Sequence, residues 1–221
     1  MDGNRRWAKK RGLLPWYGHR EGVEAVRTVV KFCLDRKISY LSLYAFSLEN
    51  FKRPEIEKKY LFSYLAKETE KELPNFIKNG VKVRFVGDRS QFPESLKATY
   101  DCMEKETAHC KNLILNLLFC YGGQQELVAG IKDIVRDVQI GKISADQLTE
   151  TQLNQYLWLG DIPAPDLIIR TGGAQRLSNF LLYQAAYSEL CFLDCMWPEL
   201  SVEHLEKVVS SFTNCKRNFG V

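Results

Sequence analysis

Residues 113–120, LILNLLFC, decide the fold class of this chain. All of them except Asn116 are apolar, and a Gly122-Gly123 turn follows after Tyr121. A strand with one face in water alternates between polar and apolar residues, whereas a strand covered on both faces is apolar throughout. The stretch is therefore typical of a buried strand in a parallel sheet that carries helices on both faces.

Segments with helical and extended spacing alternate on both sides of this strand. Apolar residues at intervals of three and four predict the helices, and short apolar runs between turn residues predict the strands. Pro74 predicts a kink or a break near the end of the second helix. The predicted helices cover 19–36, 55–78, 93–110, 124–140, 149–158, 177–186 and 201–217, and the predicted strands cover 38–46, 81–86, 113–120, 166–170 and 190–193.

This alternation predicts an α/β fold with a mainly parallel central sheet flanked by helices. No low-complexity stretch, repeat or linker interrupts residues 1–221, so we expect a single domain. The polar loop at residues 2–7 would reach the same edge of the sheet as the other loops only if a strand led into it. We therefore expect a leading strand before residue 1.

The composition excludes several classes of protein. The 31 basic and 27 acidic residues give a formal charge of +4, too balanced for a nucleic-acid-binding domain, although basic clusters lie at 5–11 and 216–217. The seven cysteines form no C-x-x-C pair, and we expect reduced core residues in a cytosolic protein. Neither a signal peptide nor a run of about 18 apolar residues is present, so we expect a cytoplasmic location without a membrane-spanning helix. Peripheral contact with a membrane stays open.

Polar loops follow several of the predicted strands. Ligands in parallel α/β sheets lie beyond the carboxyl ends of the strands, which makes 47–53, 121–123 and 170–178 candidate binding segments. The segment 170–178, RTGGAQRLS, places two arginines and a serine around a Gly-Gly pair. Its N–H groups and guanidinium groups suit a diphosphate, although such a loop could also pair with acidic neighbours.

The loop at residues 2–7, DGNRRW, has a similar character. Gly3 permits close approach of the backbone to a ligand, Asn4 can open a helix, and Arg6 can donate charge-assisted hydrogen bonds to phosphate. Asp2 would repel an anion unless a divalent cation lay between them. A solvated, disordered terminus remains an open alternative.

Other candidate residues have equally open alternatives. His19 at a helix start and Arg53 at a strand end fit binding or proton transfer, but also an ordinary cap and an ordinary turn. A group of apolar residues fits either a tunnel for a hydrocarbon or plain core packing. These are Leu43, Ala45, Phe46, Phe62, Leu65, Leu113, Leu115, Leu117 and Phe119.

Taken together, segments along nearly the whole chain resemble the cis-prenyltransferase family, in particular the bacterial undecaprenyl diphosphate synthases. They occur in the family's order, and their joint occurrence is specific. A strand precedes the first segment in the family, which agrees with the expected leading strand. The segments are MDGNRRWA (1–8), GHREG (18–22), LYAFSLENFKRP (43–54), NLLFCYGG (116–123), IIRTGGAQRLSNFLLYQ (168–184), AYSEL (186–190), MWPEL (196–200) and RNFG (217–220).

The resemblance implies a homodimeric, Mg2+-dependent transferase. Such an enzyme extends an allylic diphosphate, typically farnesyl diphosphate, by successive cis condensations with isopentenyl diphosphate, here to the undecaprenyl lipid carrier precursor for cell-wall synthesis. Asp2 matches the essential carboxylate that acts with Mg2+, and Glu189 matches a metal-site carboxylate associated with the partner subunit. Asn50 matches a residue assigned as proton acceptor. Because a neutral amide is a poor base, we expect Asn50 to position groups, with diphosphate or water as the base.

The resemblance also implies the substrate-binding residues. It assigns Gly3, Asn4, Arg5, Arg6, Trp7 and His19 to the allylic diphosphate, Arg170, Arg176, Leu177 and Ser178 to isopentenyl diphosphate, and Ser47, Leu48, Glu49, Phe51 and Arg53 to a flexible segment over both. Ile38 and Leu113 match positions at the far end of the tunnel, where bulk would limit product length.

Three positions depart from the family's pattern. Ala174 stands where the family usually has Glu, Gln175 where it often has His, and Pro15 where many members have Arg. We therefore expect weaker metal or substrate affinity, unless Arg11 or Arg20 compensates. The alternatives are a non-catalytic partner subunit of a prenyltransferase complex and a synthase of a shorter cis-prenyl chain; the retained motif residues favour a catalytic subunit.

Overall fold

Five β-strands and seven α-helices follow one another along residues 1–215, the residues that this computed structural model describes. The end of the predicted helix 201–217, the basic pair 216–217 and the RNFG segment lie outside the described residues. The helices are α1 (Asn4–Lys10), α2 (Pro15–Asp35), α3 (Glu55–Asn79), α4 (Glu94–Thr107), α5 (Gly123–Gln139), α6 (Glu150–Gln155) and α7 (Val202–Thr213). The strands are β1 (Tyr40–Ser47), β2 (Val81–Val86), β3 (Leu113–Tyr121), β4 (Leu167–Arg170) and β5 (Glu189–Phe192).

Strand β3 lies at the centre of a three-stranded parallel sheet, between β1 and β2. Its Leu113, Leu115 and Leu118 are fully buried, as the apolar sequence predicts. Asn116 is buried too, and its Nδ2 donates a hydrogen bond to Ser42 Oγ at 3.2 Å. Strands β4 and β5 form a separate two-stranded parallel sheet. The predicted parallel α/β fold with flanking helices is confirmed.

Proline is involved in two differences between the predicted and the observed helices, one at the start of α2 and one inside α3. Helix α2 begins at Pro15 rather than at residue 19, because proline at a first helical position loses no hydrogen bond. Helix α3 continues through Pro74 to Asn79, so the predicted break is wrong. The carbonyl of Glu70 loses its helical partner there, but Glu70 and Pro74 are exposed and water can serve that carbonyl.

The predicted helix at 177–186 is wrong. Ser178, Asn179 and Leu181 have φ angles of +52°, +65° and +43°, which no right-handed helix allows, and the segment consists of turns. Helix α6 is also shorter than the predicted 149–158. The turns at 178–181 fold the chain back onto the first residues of α5, where Gly123 N donates to the Asn179 carbonyl.

Aromatic rings dominate the main core. Phe46 packs on Phe62 and Phe119, with ring centroids 5.2 and 5.5 Å apart, and Phe85 stacks on Tyr100 at 3.7 Å. The apolar residues proposed from the sequence as tunnel or core all belong to this cluster. They are Leu43, Phe46, Leu113, Leu115 and Phe119, which are buried, and Ala45, Phe62, Leu65 and Leu117, which are partly buried.

The cysteines are all free thiols. Cys33, Cys110 and Cys120 are buried, but Cys102 and Cys215 are exposed, so the prediction of core cysteines is wrong for those two. Among residues 1–215, no helix has both the length and the apolar character needed to cross a membrane.

Candidate functional site

A cavity of about 530 Å³ lies where the predicted loops meet. Its lining comes from residues 1–6 and from Lys9, Leu13, Pro15, His19 and Arg53. The loop after β1 thus reaches the cavity through Arg53, and the segment after β4 contacts the loop that opens α1 through the hydrogen bonds of Arg170 and Thr171 to Asp2. The segment 121–123 after β3 joins them indirectly, because Gly123 N donates to the carbonyl of Asn179 at 2.8 Å.

The first loop is fixed by its main chain. Asp2 N donates to Thr171 Oγ1 at 3.0 Å, and the Asp2 carbonyl accepts from Thr171 Oγ1 at 2.8 Å and from Trp197 N at 3.0 Å. Gly3 has φ +106°, and a Cβ there would lie 3.0 Å from Met196 Cβ. Only glycine fits this conformation and this contact. Helix α1 then opens at Asn4, as predicted.

The Asp2 carboxylate lies between two arginines. Its Oδ2 accepts from Arg170 Nη2 at 2.9 Å, and its Oδ1 lies 3.3 Å from Arg6 Nη2. Burial alone would raise the pKa of Asp2, but the hydrogen bond from Arg170 and the charge of Arg6 outweigh it and lower the pKa below 3.8. The carboxylate is therefore ionised at neutral pH.

The Gly-Gly pair explains how the two arginine-bearing loops approach each other. Gly172 has φ +84°, and a Cβ there would lie 2.5 Å from Arg6 Nη2 and 3.3 Å from the Asp2 carbonyl oxygen. A side chain at this position would displace the Arg6 guanidinium from Asp2. The glycine thus makes room for the Arg6–Asp2 ion pair at the point where the two loops meet.

Arg170 is the most constrained cation of the site. Its Nη1 donates to Ser178 Oγ at 2.8 Å and to the carbonyl of Arg176. Its Nε is buried, and within the described residues it has no hydrogen-bond partner. A buried cationic donor without an acceptor indicates a place for an anion. Arg176 is exposed at the rim, and Leu177 is half-buried.

A buried carboxylate that sequence reasoning missed organises the other cations. Glu57 in α3 is 4% exposed, and its Oε1 lies 3.3 Å from His19 Nε2 and 3.6 Å from both Arg5 Nε and Arg53 Nη1. Burial and the charge of Arg53 lower the pKa of His19 below 6.5, and Glu57 only partly offsets them. His19 is therefore neutral at pH 7.

The segment after β1 forms a 3-10 helix, Leu48–Lys52. Asn50 Oδ1 accepts from Ser47 N at 3.3 Å, so the amide caps this helix. Leu48 and Phe51 pack against the main core. The Glu49 carboxylate accepts from Asn179 Nδ2 at 2.9 Å, which ties the segment to the end of the loop after β4.

Seven predicted site residues line the cavity: Asp2, Gly3, Asn4, Arg5, Arg6, His19 and Arg53. The other predicted residues lie outside that lining, and Glu189 and Trp7 are also turned to other surroundings. Glu189 begins β5 opposite Leu167, whereas Arg170 lies opposite Phe192. Glu189 therefore lies three residues along the strands from the level of Arg170, a distance of roughly 10 Å. Trp7 packs instead beneath Arg11, with the guanidinium carbon 4.2 Å from the ring centroid. Over residues 1–215, no three His, Cys, Asp or Glu side chains gather into a metal site.

Three contributing residues were not predicted from the sequence: Glu57, Thr171 and Asn179. Thr171 and Asn179 lie inside the predicted segment RTGGAQRLSNF. The sequence therefore indicated the segment to which they belong but not the part that each residue plays. Glu57 gave no signal, because a glutamate in the first turn of a charged helix is usually exposed. Its burial depends on the packing of α3 against α2.

The fold and the site together define a class of protein: parallel α/β proteins that carry a cluster of cations beyond the carboxyl ends of their strands, where such folds bind their ligands. The family model described as "Putative undecaprenyl diphosphate synthase" matches residues 1–220. An isoprenyl transferase from Clostridium perfringens is 46% identical over 220 residues, which is 100% of this chain and 87% of that protein.

Other similarities agree. A ditrans,polycis-undecaprenyl-diphosphate synthase ((2E,6E)-farnesyl-diphosphate specific) from Buchnera aphidicola is 40% identical over 100% of this chain and 88% of its own length. The crystal structure of lavandulyl diphosphate synthase from Lavandula x intermedia, in complex with dimethylallyl diphosphate, has a TM-score of 0.96 and 28% identity, covering 100% of this chain and 95% of that one. The chain therefore belongs to the undecaprenyl diphosphate synthase family of cis-prenyltransferases, which confirms the resemblance seen in the motifs.

Proposed function

We propose that this enzyme condenses isopentenyl diphosphate in cis onto an allylic diphosphate, with farnesyl diphosphate as the primer and the undecaprenyl carrier precursor for cell-wall synthesis as the product. The observation that carries the proposal is the position of Asp2 between two sets of cations. The relative from Buchnera aphidicola, whose name specifies farnesyl diphosphate, supports the choice of primer.

One group of residues, here called the allylic half, suits the diphosphate of the primer. It consists of the cavity-lining residues Gly3, Asn4, Arg5, Arg6, His19 and Arg53 together with Glu57. Neutral His19 donates or accepts a hydrogen bond without adding charge. Glu57 holds Arg5 and Arg53 near the cavity, so the diphosphate meets cations that are already oriented.

The other group, here called the isopentenyl half, comprises residues 170–179. Arg170 offers its buried Nε to a phosphate oxygen, Ser178 adds a hydroxyl, and exposed Arg176 adds charge at the rim. Asp2 also pairs with Arg170, so the two halves share one carboxylate. We infer that the two diphosphates bind on opposite sides of Asp2.

The donor set of the site fits Mg2+. This ion keeps several waters and is usually bound by one or two carboxylates together with substrate phosphates, so a full protein cage is not needed. Asp2, ionised and half-exposed, would hold it, and Glu189 of a second copy would add a carboxylate. When bound, Mg2+ supplies neutralisation of charge on the departing diphosphate.

The protein's own residues would then act mainly by electrostatics and position. Arg5 and Arg6 stabilise negative charge that develops on the leaving diphosphate, so the allylic carbon becomes cationic. The isopentenyl double bond attacks that carbon, and a proton is lost to diphosphate or to water. Asn50 orients the segment over the substrates, because its carbonyl oxygen already accepts from Ser47 N.

The growing hydrocarbon needs an apolar path. The rings of Phe46, Phe62 and Phe119 begin close to the carboxyl end of β1 and lead into the core. Leu113 begins β3 and Ile38 lies two residues before β1, so both lie at the amino ends of these strands, and both pack in the same cluster. We infer that rearrangement of this cluster opens the tunnel, with Ile38 and Leu113 limiting product length.

An exposed apolar stripe supports a homodimer. Val128, Ile131 and Val135 lie on one face of α5 and are 51%, 52% and 48% exposed, and Leu190 of β5 is 46% exposed. A second copy would cover such a surface. The same contact could bring Glu189 of one copy to the site of the other. We further propose a cytoplasmic enzyme that binds no nucleic acid and touches the membrane only for product release.

A single assay tests the proposed reaction. The purified protein is incubated with farnesyl diphosphate, labelled isopentenyl diphosphate and Mg2+, and the products are resolved by length. We expect a long polyprenyl ladder. No incorporation by well-folded protein would leave the non-catalytic partner subunit as the explanation, and one or two additions only would identify a short-chain synthase.

A further inference from the structure

Asn179 lies where three segments of the site meet. Its backbone has φ +65°, and its carbonyl accepts from Gly123 N at 2.8 Å. Its Oδ1 accepts from Gln124 N at 2.8 Å, and its Nδ2 donates to Gln125 Oε1 at 3.0 Å. These bonds fix the end of the loop after β4 on the first turn of α5.

One hydrogen bond of Asn179 goes to a different part of the site. Its Nδ2 also donates to Glu49 Oε1 at 2.9 Å, across a separation of 130 residues. Glu49 belongs to the 3-10 helix Leu48–Lys52, the segment proposed above to lie over the substrates. Burial alone would raise the pKa of Glu49, but hydrogen bonds from its own backbone N–H, from Asn179 and from Ser47 lower it, so the acceptor is charged. A charge-assisted bond of this kind is among the stronger ones.

Gly122 allows the Asn179 side chain to reach this position. A Cβ on Gly122 would lie 2.7 Å from Asn179 Nδ2 and 2.2 Å from Gln125 Oε1. The Gly-Gly pair after β3 therefore has a use beyond helix initiation. It leaves room for a carboxamide that joins the segment at 47–52 to the loop of Arg170.

We propose that Asn179 is a positioning residue that latches the segment over the substrates onto the isopentenyl half through Glu49. Ser178, its neighbour, accepts a hydrogen bond from Arg170 Nη1. Closing the latch therefore also orients Arg170, the cation proposed to bind isopentenyl diphosphate. Glu49 acts in this latch as a tether rather than as a ligand of either diphosphate. The proposal takes its kinetic test from the proposed condensation, but its structural test does not depend on it.

An exchange of donor and acceptor tests the latch. Asn179→Asp keeps the acceptor for Gln124 N but sets two carboxylates against each other, and Asp tolerates the left-handed backbone as Asn does. The Gln125 amide can turn to donate instead. Glu49→Gln alone can still accept from Asn179, so it serves as the mild control. In the double variant Glu49→Gln/Asn179→Asp, the new amide at position 49 donates to the new carboxylate at position 179, and the bond is restored in reverse.

The structural measurement is limited trypsin digestion. Lys52 is exposed, and cleavage of the Lys52–Arg53 bond requires the segment to open. We expect cleavage about tenfold faster in Asn179→Asp, the size expected for losing one charge-assisted bond, and near wild type in the double variant. Cleavage after Lys142, in the exposed turn beyond α5, is the internal reference for protease activity and should not change.

The kinetic measurement is the KM for isopentenyl diphosphate. It should rise about tenfold in Asn179→Asp, with a smaller change for the allylic diphosphate, and return in the double variant. A double variant as impaired as Asn179→Asp in either measurement would overturn the latch. If neither the wild-type protein nor any variant shows turnover, the proposed reaction is contradicted. The trypsin digestion would still test whether Asn179 holds the segment closed.

Discussion

In the allylic half, Arg5 and Arg53 converge with neutral His19 on a buried carboxylate of the protein, Glu57, whereas the isopentenyl half has no such buried carboxylate among the described residues. Arg5, His19 and Arg53 all lie within 3.6 Å of that carboxylate. Arg170 instead shares Asp2 with Arg6 and keeps a buried Nε without a partner in the described residues. A protein carboxylate therefore offsets part of the cationic charge of the allylic half before a ligand binds, whereas the isopentenyl half receives its anion from the ligand.

Because of this difference, substitutions in the two halves should affect different properties of the protein. Loss of a built-in counter-ion leaves cations buried together, so changes in the allylic half should lower stability and alter its pH dependence. Loss of a cation from the isopentenyl half removes a ligand contact and should raise a substrate KM. Asp2 belongs to both halves, and its loss should affect turnover most.

The largest effect is expected from Asp2→Ala. The variant lacks the proposed Mg2+ ligand and leaves Arg6 and Arg170 without their shared counter-charge. We expect kcat to fall roughly 1000-fold or more, because neutralisation of the leaving group is a transition-state effect. Allylic diphosphate binding, measured by calorimetry, should persist because both arginines remain. Asp2→Asn, which keeps an acceptor for Arg170, is the control and should lose turnover too; retained turnover in either would contradict the role of Asp2.

Arg170→Lys tests whether the isopentenyl half serves one substrate. Lysine keeps the charge but lacks Nε and the planar fork that now contacts Ser178 and Asp2. We expect the KM for isopentenyl diphosphate to rise about 100-fold, with little change for the primer. Arg176→Lys, at the exposed rim, is the matched control and should have a smaller effect. Equal increases in the KM for both substrates would contradict the assignment of the two halves to different substrates.

Regular periodicity made the helical part of the allylic half predictable. Helices α2 and α3 and strand β3 follow from apolar spacing, and the start of α1 follows from Gly3 and Asn4. Each of these signals lies within a few neighbouring residues. Glu57 could not be found in this way, because its burial arises when α3 packs on α2 and no local pattern encodes that contact.

The isopentenyl half shows the opposite situation. The segment RTGGAQRLSNF marked the site clearly, but the apolar spacing of residues 177–186 predicted a helix that does not form. Ser178 and Asn179 adopt positive φ angles because Ser178 Oγ binds Arg170 and Asn179 binds α5 and Glu49. Distant partners thus overrode local propensity. The distance of Glu189 from Asp2 within one chain also depends on strand register, which the sequence does not show.

Glu57→Gln tests the built-in counter-ion of the allylic half. The amide leaves Arg5, Arg53 and His19 without a negative partner, so we expect about 3 kcal/mol less stability, at the low end for buried pairs because Arg5 is half-exposed. The KM for the allylic diphosphate should rise about tenfold, because the cations move apart. Urea unfolding and steady-state kinetics measure the two effects. Unchanged stability would show that Glu57 does not balance the cations.

The pH dependence of the same variant sharpens this test. The pKa of His19 lies below 6.5 in the folded protein, so the unfolded chain takes up a proton first and stability falls as pH drops below 6.5. The decline ends once folded His19 is also protonated. Without Glu57, which raises that pKa, the decline should continue to lower pH. Adding His19→Gln to Glu57→Gln should remove the difference; a double variant with the same slope would assign it to another group.

The smallest effect is expected from Ala174→Glu, which addresses the shared metal position rather than either half. Ala174 is half-exposed beside the Gly-Gly pair that lies against Asp2 and Arg6. A glutamate there adds a second carboxylate for Mg2+, so Asp2 need not rely on the diphosphate and on Glu189 of a second copy. We expect Mg2+ to bind about threefold more tightly in calorimetric titrations with inorganic diphosphate present.

Ala174→Gln is the matched control, because it has the same length without the charge and should leave Mg2+ binding unchanged. The half-saturating Mg2+ concentration in the condensation assay should follow the calorimetric order of the two variants. If Ala174→Glu leaves both Mg2+ affinity and substrate KM at wild-type values, the residue at 174 does not weaken this site. Asp2, held by its two arginines, and the bound diphosphate would then be sufficient to bind Mg2+, and no second carboxylate of the same chain would be needed.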